Sequence, residues 1–179
     1  MAGGLGDLIK QVVASLSGGG TGGGSSSSKQ QIIDYLKDKG YSNEAIAGIV
    51  ANIEVETGGT FDYKQKEKGK GIGEGLFQFG VAMQDSYKDY LKNKKQKDSI
   101  ESQIDFMDEV VRGTWSPGLP DYSEKSDKMD RTILKGELFS GKFSPDRIAE
   151  SFNSIFEKGK LETDYGNRKD IAIDIYKDL

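Results

Sequence analysis

From Ser17 to Ser28 every residue of the chain is Gly, Ser or Thr, and such a run has no apolar surface to bury, so whatever folds must lie on either side of it. The tract reads as a flexible tether, and about 12 residues of coil span on the order of 20 Å. Before it, over residues 1–16, Leu5, Leu8, Ile9, Val12, Val13 and Leu16 fall at helical spacing on one face. A helix this short is marginal alone in water. It is expected to be an amphipathic anchor that docks the rest of the chain onto a larger assembly. At 179 residues the chain is long enough for one domain with its own core, expected over 29–179, and too short for two substantial ones plus linkers.

Within 29–179 the apolar spacing is mostly helical. Ile32, Ile33 and Leu36, with Tyr35 beside them, form the buried face of a first helix that Gly40 ends. Ser42 is placed to cap a second, Asn43 to about Glu56, whose apolar side is Ile46, Ile49, Val50 and Ile53. Thr57-Gly58-Gly59 stops it. Residues 58–80 are rich in Gly, Lys and aromatics, an irregular stretch with room for a small hairpin and the natural place for a cleft. Further helices are expected near 81–93, 98–112 and 144–157, and a last one from about 166 to 178, with Pro117 and Pro120 breaking the middle. The expectation is a mostly α domain with at most a minor β element.

Composition then narrows the chemistry. The 179 residues include no Cys and no His. Disulfides, thiol nucleophiles, Ser-His-Asp triads and His-bearing zinc sites are therefore excluded by inventory, and carboxylates are left. A formal charge of -4 argues against a general nucleic-acid binder, which needs basic excess to displace counterions. Lys64, Lys66, Lys68 and Lys70 in the loop, and Lys92, Lys94, Lys95 and Lys97 after a helical stretch, read either as contacts to an anionic polymer or as solvated surface, the second being the stronger reading. No apolar run approaches the roughly 20 residues of a membrane span, and no stretch has the basic start and apolar centre of a secretory signal.

Two segments carry candidate chemistry. Ala51-Asn52-Ile53-Glu54-Val55-Glu56-Thr57-Gly58-Gly59 sets two carboxylates at the end of an apolar helix. In a regular helix Glu54 and Glu56 flank the apolar stripe at roughly equal angles, so helical geometry does not choose between them. A Glu beside packed apolar groups and at the negative end of a helix is discouraged from ionising, as a general acid must be. The second segment is Gly71-Ile72-Gly73-Glu74-Gly75-Leu76-Phe77-Gln78-Phe79-Gly80. It lacks the Gly-Lys-Ser/Thr ending of a phosphate loop. Its glycines allow close backbone approach, and Gln78 offers an amide.

Together these segments resemble the phage tail lysozyme family, within the wider group of goose-type lysozymes and soluble lytic transglycosylases. The family pattern is similar to Asn52, Glu56 and Thr57 here, with Thr for Ser, followed by Gly75, Leu76 and Gln78, with Phe79 where the family often has Trp. The helix start Gly40-Tyr41-Ser42, Glu44 to Ile49, is also similar, as are Ser144-Pro145-Asp146, Phe152-Asn153, Phe156-Glu157, Arg168 and Ala172 to Tyr176. The likeness covers most of 29–179.

What the resemblance implies is a lysozyme-like catalytic domain acting on peptidoglycan glycan strands at the β-1,4 bond between N-acetylmuramic acid and N-acetylglucosamine. It selects Glu56 over Glu54 as the acid. Glu74, or else Asp62, would be the second carboxylate, a base roughly 6.5–9.5 Å away in an inverting enzyme or a closer nucleophile or charge stabiliser. Without one, the sugar's own 6-hydroxyl would attack, as in a lytic transglycosylase. Gln78, Phe77, Tyr63, Asn153 and Phe156 would line the sugar cleft, with a place in the core the stronger reading for Phe156. Trp115 is either core plug or saccharide platform. No metal or cofactor is implied. The expected partners are the wall glycan and virion proteins of a phage tail or baseplate held through residues 1–16, and the expected place of action is the host wall during genome entry. Two other readings remain: an inactive lysozyme-like domain serving as a structural tail or ejected virion protein, and a lysis enzyme released free.

Overall fold

The computed structural model describes residues 24–67, 71–119, 125–157 and 165–179. The expected anchor at 1–16, the tether up to residue 23, and Lys68 and Lys70 lie outside the described residues. The elements are α1 Gly24–Asp38, α2 Asn43–Glu56, α3 Val81–Lys94, α4 Ile100–Arg112, α5 Lys125–Ser140, α6 Pro145–Phe152 with a π-helical turn Asn153–Glu157, and α7 Tyr165–Asp178. The fold is mostly α and lysozyme-like, with no strand among the described residues. None of the described helices is long and apolar enough to cross a membrane.

The helix α2 occupies the centre. Ser42 Oγ accepts from Ala45 N at 3.3 Å and sets its start. Every residue from Ala45 to Ile53 is buried, so the helix is enclosed all round and not only along the Ile46, Ile49, Val50, Ile53 stripe. It is packed by α1, α5, α6 and α7. The approach of α6 is very close. A Cβ on Gly48 would stand 2.6 Å from Ile148 Cγ2 and 3.0 Å from Ala149 N. One turn later, Asn52 Nδ2 donates to Gly48 O at 2.8 Å and to Ala149 O at 3.0 Å, pinning the two helices together.

A second part of the core is aromatic. Phe156 meets Phe77 edge-on at 5.6 Å, Phe77 meets Phe79, and Phe79 meets Phe106 and Tyr87. Tyr90 extends the chain of rings to Trp115, 5.0 Å away and nearly perpendicular. Trp115 Nε1 donates to Ser86 Oγ at 3.0 Å. Trp115 is therefore a core plug, with its one polar atom satisfied inside the protein.

Several boundaries differ from those expected. The first described helix takes in Gly24 to Ser28, assigned by composition to the tether. Helix α5 was not anticipated, because its buried Leu134 and Leu138 are set among charged residues. The expected helix over 144–157 divides into α6 and the π turn. The expected hairpin is reduced to two isolated bridges, Lys66 with Glu74 and Glu74 with Phe79. The other described residues of that loop form turns and no ladder.

Candidate active site

The last turn of α2 presents Glu54 and Glu56, and each meets a different cation. Lys29 Nζ from α1 contacts Glu54 Oε2 at 2.9 Å. Glu56 Oε1 accepts from Arg168 Nη2, carried on α7. The Arg168 side chain is only 5% exposed, while that of Glu56 is 23% exposed, so the cation is held inside the protein and the carboxyl reaches outward from it. At the opposite end of the same helix pair, Tyr176 OH donates to Glu44 Oε1 at 2.9 Å. These two contacts show that α7 lies antiparallel to α2.

Thr57 closes α2. Its hydroxyl donates to Ile53 O at 2.7 Å and accepts from Phe61 N at 3.1 Å, turning the chain sharply into the loop. The loop is tied by Glu67 N to Gly73 O at 2.8 Å and Gly75 N to Gln65 O at 2.8 Å. Gln103, buried on α4, accepts from Leu76 N at 2.9 Å and donates to Tyr63 O at 2.8 Å. Leu76, Phe77 and Phe79 point into the core. Gln78 alone turns away from it, at a positive φ of 44° that a side-chain-bearing residue rarely adopts. Its Nε2 donates to Gly75 O at 2.9 Å.

Glu56 opens onto a cleft of about 460 Å³ bordered by Val55, Thr57, Gly58, Thr60, Gln65, Glu67 and Gln78. The glycines of the second segment acquire a specific purpose here. A Cβ on Gly71 would lie 2.0 Å from Glu67 Cδ, and one on Gly73 would lie 2.7 Å from Gln78 Oε1. These two positions are bare so that two side chains of the cleft can lie across the backbone. Glu67 Oε2 accepts from Gly73 N at 3.0 Å.

The structure brings Glu56 and Gln78 into this cleft, but not the other residues singled out from the sequence. Glu74 pairs with Lys66 at 3.1 Å and borders a separate pocket of about 310 Å³ with Tyr63, Tyr87 and Lys88. Asp62 accepts from Lys64 N at 2.9 Å as a turn former and borders a third depression. Tyr63 adjoins both of these pockets. Phe77 and Phe156 are buried in the aromatic core, and Asn153 is buried in the π turn. Asn52, part of the motif, is a helix tie. Two residues were missed. Glu67 was hidden among the alternating lysines of a loop that read as solvated. Arg168 was noted for its likeness alone; its position in a polar helix says nothing of its partner.

The arrangement offers a carboxyl at the mouth of a polar cleft, backed by a buried guanidinium that stabilises its charged form. A profile of phage tail lysozymes matches residues 27–179. No curated protein matches the chain.

Proposed function

Because the chain belongs to the phage tail lysozyme family, a family of cell-wall hydrolases of lysozyme type, we propose that it cleaves the β-1,4 bond between N-acetylmuramic acid and N-acetylglucosamine, with Glu56 as acid. The observation that carries this reading is the placement of Glu56 at the end of a fully enclosed helix, facing the cleft that also holds Gln78. Glu56 donates its proton to the bridging oxygen as the glycosidic bond breaks. The carboxylate it becomes is the species that Arg168 stabilises, so this contact strengthens as the proton leaves and favours the transition state over the ground state. Gln78 and Thr60 supply polar groups to the sugar substituents. Residues 1–16 anchor the domain to tail or baseplate proteins, a reading supported by their apolar spacing and the tether behind them, and the wall is opened locally as the genome enters.

The test is turbidity loss and product mass on purified peptidoglycan, comparing the intact chain with Glu56→Gln, which keeps shape and removes the transferable proton. Cleavage in the first and none in the second is the expected result. Products ending in 1,6-anhydro sugar would make the enzyme a lytic transglycosylase. A second reading, a structural tail domain with an idle site, is favoured by one observation, the closed contact between Glu56 and Arg168. Absence of cleavage by folded wild type on any host wall would select it.

A further inference from the structure

We propose that Glu67 is the second carboxylate of the site, the base that takes a proton from the attacking water; this rests on the glycosidase reading above. Glu56 and Glu67 border the same cleft, one from the end of α2 and the other from the loop. Glu74, the first choice by sequence, lies beside Lys66 in an exposed pair and borders another pocket.

Glu67 is also held as a positioned group is held. Its backbone N–H donates to Gly73 O at 2.8 Å, and its Oε2 accepts from Gly73 N at 3.0 Å. Residue and carboxylate are thus both fixed to one glycine across the loop. Gly71 leaves the space the carboxyl occupies, since a Cβ there would stand 2.0 Å from Glu67 Cδ. A residue held once through its backbone and once through its carboxylate at the rim of a polar cleft, over a glycine without a side chain, is preorganised at little entropic cost on substrate binding.

The step balances as follows. A water oxygen forms a bond to the anomeric carbon of the N-acetylmuramic acid unit while the bond from that carbon to the bridging oxygen breaks. Glu56 gives its proton to the departing oxygen, and the water gives one proton to Glu67. One water is consumed, both sugars end as hydroxyl compounds, and the proton returns from Glu67 to Glu56 through solvent. A base acting through water inverts the anomeric centre.

The experiment uses the full chain on purified peptidoglycan with wild type, Glu67→Gln, Glu74→Gln and Gly71→Ala, each checked for unchanged circular dichroism and melting. Glu67→Gln is expected to lower kcat by about 10²–10⁴-fold with little change in KM. Azide, an anion that needs no base, should restore its turnover and give an α-glycosyl azide, an effect that loss of a merely structural Glu would not produce. Gly71→Ala, which keeps the carboxyl but displaces it, should lose activity in the same direction. The first product seen by NMR with wild type should be the α anomer. Near-wild-type kcat in Glu67→Gln, a β product, 1,6-anhydro ends, or a loss confined to Glu74→Gln would overturn the assignment while leaving Glu56 as acid. Folded wild type that cleaves no glycan would sink the glycosidase reading itself.

Discussion

Arg168 on α7 contacts the carboxyl of Glu56 on α2, a residue 112 positions earlier in the chain. The carboxylate left when the acid gives up its proton is the species this guanidinium meets, so Arg168→Gln should lower kcat by about 10-fold or more. Leaving Glu56 without this cation should also destabilise the fold by about 1–3 kcal/mol, less than for a fully buried pair because Glu56 is partly in water. Urea unfolding and turnover on the same preparation check both effects. Unchanged kcat would mean the contact does not bear on the acid.

Gly48→Ala should destabilise by about 1–3 kcal/mol, the usual range for overpacking a filled core. Its new methyl would stand 2.6 Å from Ile148 Cγ2. Adding Ile148→Ala removes Cγ2, the nearest atom to the new methyl, so the two changes together should cost less than the sum of the two made singly. A double-mutant cycle in urea measures the coupling.

Gln103→Leu should cost about 2–4 kcal/mol, since buried groups left without partners cost about 1–3 kcal/mol each. The amide serves Leu76 N, Tyr63 O and Asp98 Oδ1, so the loss frees both sides of the loop. Activity should fall more than stability alone explains, because the loop carries Gln78 into the cleft. Comparing kcat well below the melting temperature with hydrogen exchange at Leu76 separates the two.

Stability should decline at both ends of the pH scale. Backbone hydrogen bonding at the start of α2 and the hydroxyl of Tyr176 hold Glu44 below the usual carboxylate range, and the Ser144 hydroxyl does the same for Asp146. A depressed carboxyl contributes stability that is present above its unfolded value, about 4, and is lost as pH falls through the folded value. Burial raises Tyr35, Tyr41, Tyr87 and Tyr90 above the ordinary phenol value. Their contribution is complete below about pH 10 and is lost as pH rises toward the folded values. Absorbance titration of tyrosinate should show these four ionising only on alkaline unfolding. Tyr176→Phe should weaken the acid-side dependence slightly.

The legible parts of the sequence are those where local chemistry and tertiary environment agree. Ser42 caps α2 and Glu56 ends it as the residues alone suggest, because an N-cap hydroxyl and a Thr-Gly-Gly stop act over a few residues. Phe156 lies in the core, as its apolar ring suggests, although the helix expected around it gives way to a π turn. What escaped depends on contacts between distant segments. The pairing of Arg168 with Glu56 is invisible until α7 lies antiparallel on α2. Glu67 and Glu74 look alike in a lysine-rich loop, and only the crossing of Glu67 over Gly71 and its bond to Gly73 N set one at the cleft while the other borders a different pocket beside Lys66. Helix α5 escaped because Glu137, inside the protein and bonded to Arg147, occupies a place that a simple apolar count leaves to hydrocarbon.

The antiparallel seating of α7 also orders events in time. A ribosome delivers Glu56 long before Arg168, and at 5–20 residues per second the interval between them is several seconds or more. During it the central helix can gather α1 and the aromatic core, yet its terminal carboxyl lacks this counterion. The cleft thus reaches its finished electrostatic form only once the segment carrying Arg168 has been made and docked. A nascent chain stalled before that point would carry the acid without its buried guanidinium.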